Sequence, residues 1–148
     1  MSPFEVLGLV GLLTFKHFLV DFTQLQTPYM YENKGDPRHL GGYLHAGFHA
    51  FVSLMIFIWY TTDAVLLTSI TLFELLVHYC MDCFKVNICK DLGWAPNTSP
   101  HYWLMLGIDQ LVHYATYLFM VYLLLESGYV NWKDLRSGAL GRDWTVWI

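Results

Sequence analysis

The chain has 148 residues, 55% hydrophobic, 18% aromatic and only 14% charged, with a formal net charge of −4. A soluble domain carries about a quarter of its residues as charges, so this composition excludes an ordinary water-soluble fold. The charge is small and no basic patch accompanies it, which argues against a nucleic-acid partner.

One all-α unit is expected, a polytopic membrane protein of four transmembrane helices over residues 1–125. Its apolar runs reach the roughly 20 residues that a bilayer span requires. The first span is expected at about 4–25. It lacks the basic start and small-residue cleavage site of a signal peptide, so Phe4 onward is expected to stay in place. Thr14, His17, Asp21 and Gln24 share a face on a helix of roughly 100° per residue. Lys16 points elsewhere, either snorkelling to the interface or pairing with Glu74.

Residues 26–41 form a polar loop, broken by Pro28, by Gly35 to Pro37 and by Gly41-Gly42. Tyr29, Met30 and Tyr31 within it suit the headgroup level. The second span, about 42–60, carries His45 and His49 four residues apart. Gly42, Ala46, Ala50 and Ser53 lie on nearly the same face, and small residues let helices approach closely in lipid. The imidazoles are therefore expected inside the bundle. A tight turn at Thr61, Thr62 and Asp63 leads into the third span, about 64–86.

The third span holds Glu74, His78 and Asp82 in one stripe, with Lys85 beside Asp82. Each Asp or Lys near a bilayer centre costs roughly 2.5–3.5 kcal/mol, so the stripe must face something other than lipid. Cys80, Cys83 and Cys89 are an odd, crowded set that suggests no disulfide framework. The Cys80–Cys83 spacing lacks a second pair, and these are taken as small apolar residues rather than zinc ligands. After a loop broken by Gly93, Pro96 and Pro100, the fourth span, about 101–125, carries Asp109, His113 and Thr116 on one side. Residues 126–148 are too polar to span, and form either an interfacial segment anchored by Trp132, Trp144 and Trp147 or a partly disordered end. Lysines and arginines barely distinguish the two sides, with a lean toward cytoplasmic first and third loops.

Alternate spans run in opposite directions. All four polar pairs therefore fall in one half of the membrane, most within roughly 3–15 Å of the first-and-third-loop surface. They also repeat. His17 to His78 is a step of 61 (78 − 17) and His45 to Asp109 a step of 64 (109 − 45). Two parallel hairpin repeats, related by an axis normal to the bilayer with a site between them, follow from this.

Four imidazoles and three carboxylates at one depth point to a metal site formed by His17, Asp21, His45, His49, His78, Asp82, Asp109 and His113. Such ligands suit zinc first, with iron or manganese as alternatives, and an i, i+4 pair can offer two of them to one ion. The bland alternative is hydrogen-bonded glue, worth about 0.6 kcal/mol per bond in membranes. Four pairs at one depth favour the metal.

These motifs resemble a family of small multi-pass membrane proteins of bacteria and phages, the domain of unknown function numbered 3307. The matching residues are His17-Phe-Leu-Val-Asp21-Phe22, Glu32-Asn33-Lys34, His45, His49, His78-Tyr-Cys-Met-Asp82-Cys-Phe-Lys85 and Asp109-Gln110-Leu-Val-His113. The resemblance covers residues 15–117. It implies a multi-pass protein of the bacterial inner membrane, or a phage-encoded equivalent, with a glutamine after the first Asp-Phe. Gln24 and Gln26 are both candidates for that glutamine. No activity comes with the resemblance.

The first functional expectation is a metal-dependent hydrolase of lipid-like substrates. The imidazoles would be nitrogen ligands. Asp82 and Asp109 would be ligands or catalytic bases, with Glu74 as a further catalytic candidate, unless it serves only as the partner of Lys16. No serine sits as a nucleophile, which favours attack by water. Lys34 and Lys85 would hold an anionic headgroup, or merely snorkel. Membrane lipids are the expected partners, and a homo-oligomer is left open. The alternatives are a metal-ion or proton transporter, disfavoured because the polar groups cluster in one half, and a membrane adaptor with a structural metal.

Overall fold

The computed structural model of the protein describes residues 1–127, all helix and connection, without a strand among them. Five helices follow in order: α1 (Pro3–Phe22), α2 (Pro28–Asn33), α3 (Leu40–Phe57), α4 (Ala64–Asp91) and α5 (Pro100–Glu126). The tail expectation for 126–148 lies outside the described residues from position 128 onward.

The helix starts are written locally. Ser2 and Glu5 form a capping box ahead of Pro3, and Thr27 and Ser99 cap helices that also begin at proline. Asp63 accepts from the Val65 and Leu66 amides at 2.8 and 3.0 Å, which converts the short turn after α3 into the start of α4. At the far end of α4, Gly93 adopts φ +66°, and the Trp94 and Gly93 amides bond back to the Cys89 and Lys90 carbonyls. That left-handed cap is what stops the helix. α4 therefore runs five residues beyond the expected end at 86. Asn87 does not break it, because its side chain donates to the Cys83 carbonyl at 2.8 Å and also to Gly35.

Four helices, α1, α3, α4 and α5, are each long and apolar enough to cross a membrane. Burial fits that environment. Among the described residues, thirteen buried residues are apolar and thirteen are polar or charged, while phenylalanines such as Phe4, Phe15, Phe18 and Phe22 face outward. A water-soluble fold would do the reverse, so the solvent outside this bundle is hydrocarbon.

The helices form a ring. α1 packs on α3 and α5, and α4 packs on the same two, so α1 lies diagonal to α4 and α3 diagonal to α5. Two parallel hairpins, α1–α3 and α4–α5, related by an axis along the bundle require this placement. α2 packs against the start of α3 and roofs the end of the bundle where the hairpins connect. The roof is tight. A Cβ on Gly35 would sit 2.3 Å from Val86 Cγ1, and one on Gly41 would sit 2.6 Å from the Tyr29 carbonyl oxygen.

The interior divides along the axis. At one end Leu9, Leu13, Phe57, Ile70, Tyr117, Met120, Val121 and Leu124 form an apolar core. Toward the α2 end lie the histidines and carboxylates.

Candidate metal centre

The late part of α1 meets the early part of α3 across one seam of the ring, and the late part of α4 meets the early part of α5 across another. The i, i+4 stripes of all four helices thus converge at one level. His17, His45, His49 and Asp109 are 0% exposed, His78 and His113 1% and Asp82 2%.

Asp21 is the hub of the first half. Its Oδ1 lies 2.9 Å from His45 Nε2 and 3.3 Å from His49 Nε2, and its Oδ2 lies 3.2 Å from His17 Nε2. His45 Nε2 also lies 3.1 Å from His78 Nε2 and 3.2 Å from Asp82 Oδ2. Two imidazole nitrogens face each other there. Either one carries the proton between them, or both lone pairs point at a cation.

The second half holds His78, Asp82, Asp109 and His113. Lys34 reaches in from the end of α2 to place Nζ 3.3 Å from Asp82 Oδ1. Burial opposes the charge on this lysine. Asp82 foremost, with Asp21 and Asp109, overcomes that and holds the ammonium above its ordinary range. Lys85 Nζ donates to Asp109 Oδ2 at 2.7 Å, and His113 Nε2 lies 3.3 Å from Asp109 Oδ1. One level deeper, Lys16 and Glu74 form a buried ion pair. The same ammonium donates to the His49 carbonyl at 3.2 Å and sits 4.6 Å from the Tyr117 ring centre. Glu74 thus takes the partner role left open by the sequence, and Lys16 does not snorkel. Lys34 and Lys85, expected to hold a headgroup, point inward in this structure.

Three further neighbours stand outside the expected ligand set, of which Gln110 and Gln26 were noted in the sequence and Tyr117 was not. Tyr117 Oη lies 3.0 Å from His17 Nδ1, and Gln110 Oε1 lies 3.0 Å from His17 Nε2. Gln26 Nε2 lies 3.3 Å from His45 Nδ1, so Gln26 rather than Gln24 is the glutamine at the site. Tyr117 was legible in principle, being four residues past His113 on the same stripe. Gln26 lies beyond the end of α1, where helical periodicity says nothing.

The donor set fits a metal. Asp21, His45, His49 and His78 each offer a ligand atom, all within 4.8 Å of one another, and His78, Asp82 and His113 make a second such group. His49 Nδ1 and His78 Nδ1, both buried, have no hydrogen-bond partner among the described residues, while Asp82 Oδ2, Asp109 Oδ1 and His113 Nε2 have only imidazole–carboxylate approaches of 3.2 to 3.5 Å. Buried polar atoms are normally well satisfied, so ring nitrogens and carboxylate oxygens this crowded and this weakly bonded at one level are what a cation would relieve.

Fold and site together define a multi-pass membrane protein with a buried His/Asp cluster able to hold a metal ion. The chain belongs to the family described as Protein of unknown function (DUF3307), whose profile matches residues 9–137. No curated protein and no solved structure matches it.

Proposed function

We propose that the protein is a membrane-embedded, metal-dependent hydrolase of lipid-like esters or phosphoesters, with zinc as the first candidate ion and iron or manganese next. One observation carries this reading. Of the four carboxylates inside the bundle, the buried Glu74, Asp82 and Asp109 each have a lysine, whereas Asp21, its side chain 6% exposed, is surrounded by imidazoles. An anion buried without a counter-ion is costly, and nitrogen-rich surroundings suit a transition metal.

Asp21, His45, His49 and His78 would hold the ion. A metal held there would supply a hydroxide nucleophile near neutral pH. His17, Asp82, Asp109 and His113 are more donors than a closed four-coordinate site needs, and this surplus supports chemistry over scaffolding. Asp82, beside His45 and His78, is the candidate base. Beside the roof, an open groove of about 480 Å³ on the outer face of α4, mostly apolar along Tyr79, Cys83, Phe84 and Ile88 with Asn87 and Asp91 at its edge, would take an acyl chain. An anionic headgroup reaches Lys34 and Lys85 by taking them from Asp82 and Asp109.

The burial of every histidine donor favours a second reading, a structural metal clasping four helices. Transport has no comparable support, because the polar column ends on the apolar core.

Purified protein in phospholipid vesicles decides. The enzyme reading expects release of fatty acid or phosphate that His49→Ala and Asp21→Asn abolish along with the metal, and that Asp82→Asn abolishes with metal retained. Retained metal without turnover, and unfolding on chelation, selects the clasp. A folded wild type that binds no metal overturns both.

A further inference from the structure

The two halves of the cluster are related by the repeat, His17 and Asp21 answering to His78 and Asp82, yet they differ in charge. The Asp21 half contains no lysine pair. The Asp82–Asp109 half contains two, Lys34 on Asp82 and Lys85 on Asp109. The two lysines come from different places. Lys34 arrives from the roof, its strap fastened where Asn87 Nδ2 donates to the Gly35 carbonyl at 2.8 Å. Lys85 arrives from α4 itself, three residues past Asp82.

We infer that Lys34 and Lys85 stand in for a second cation: the Asp82–Asp109 half is a metal site filled by the protein's own ammonium groups, so the chain holds one ion, not two. This deepens the metal reading above and rests on it. Its donors are those of a site. His78, which this half shares with the Asp21 group, offers ligand atoms within 4.8 Å together with Asp82 and His113, and the buried Asp82 Oδ2, Asp109 Oδ1 and His113 Nε2 meet only imidazole–carboxylate neighbours at 3.2 to 3.5 Å apart from the lysines.

Charge decides between one ion and two. Four carboxylates inside the bundle, three of them buried and Asp21 nearly so, and three ammonium groups leave one negative charge when the imidazoles are neutral. One dication at Asp21 turns this into a single positive charge. A second dication would make it three, in surroundings where water cannot screen them. With both lysines neutralised by substitution, the second ion restores the balance instead of upsetting it.

The test is metal content by elemental analysis of detergent-purified protein, equilibrated with zinc and desalted, with elution volume as the check on folding. Wild type is expected to hold one equivalent, lost in Asp21→Asn and kept in Asp82→Asn. The K34Q/K85Q variant is expected to hold two, returning to one when Asp82→Asn is added. A wild type holding two equivalents overturns the inference while leaving the metal reading intact, as does a K34Q/K85Q variant that elutes like wild type and stays at one. Loss of the ion in Asp82→Asn but not in Asp21→Asn overturns it as well. A wild type holding none removes the metal reading itself. Should K34Q/K85Q aggregate, cobalt titration of wild type decides alone, saturation at one equivalent supporting the inference and at two overturning it.

Discussion

The two ends of the bundle are built from the same four helices and obey different physics. At the apolar end, Leu9, Leu13, Phe57, Ile70, Met120 and Leu124 pack against one another, while leucines and phenylalanines of the same helices face outward. Lipid tails are as apolar as leucine, so burying these side chains removes no water and gains only close packing. At the polar end each group has nowhere else to go. A carboxylate or imidazole rotated into hydrocarbon would lose every partner. The polar end therefore sets how the helices are turned about their axes, and the apolar end fills the space that remains.

The largest effect should come from the ion. A ligand at a thousand times its Kd stabilises by about 4 kcal/mol, which for a chain of this size is a shift on the order of 10 °C. Chelation of wild type, or Asp21→Asn, is expected to lower the thermal midpoint by that amount in detergent. An unmoved midpoint in metal-loaded protein would break the claim that the polar end holds the bundle.

The pair below it is of the same order. Lys16→Met or Glu74→Gln alone should cost about 3–5 kcal/mol, because each strands a buried charge, whereas K16M/E74M together should recover most of that loss. Leu13→Ala, fully buried at the other end, should cost only about 1–2 kcal/mol. In water the same truncation costs roughly 2–5 kcal/mol, and the transfer share of that is missing in lipid. Chemical or thermal unfolding of these four variants checks the order, and Leu13→Ala costing more than Glu74→Gln would reverse the comparison.

Single glycines sharpen it further, down to an effect near zero. Gly41→Ala drives a Cβ against the Tyr29 carbonyl under the roof and should cost about 1–3 kcal/mol and loosen metal binding. Gly47→Ala, on the same helix but facing open space, should be neutral or gain up to about 1 kcal/mol from helix propensity. Equal effects at the two positions would show that the roof is not close-packed.

Much of the fold was legible because it is local. A stretch of apolar residues long enough to span, a capping serine or aspartate and a proline at the first turn act within a few residues of themselves, and α1, α3, α4 and α5 follow from them. The level of the polar stripes was legible for the same reason. Four residues are one helical turn, and alternate spans reverse direction, so His17 and Asp21 had to lie level with His45 and His49. The short helix α2 was not read from the polar loop between the first two spans, and neither was the continuation of α4 through Asn87.

What only the tertiary structure decided is which cation answers which anion. Lys34 reaches Asp82 across 48 residues and Lys16 reaches Glu74 across 58, and the ring order leaves Asp21 to the imidazoles. Helical spacing fixes the height of a side chain and its angle on its own helix. It cannot say which neighbouring helix that angle faces, because this depends on how all four helices pack at once.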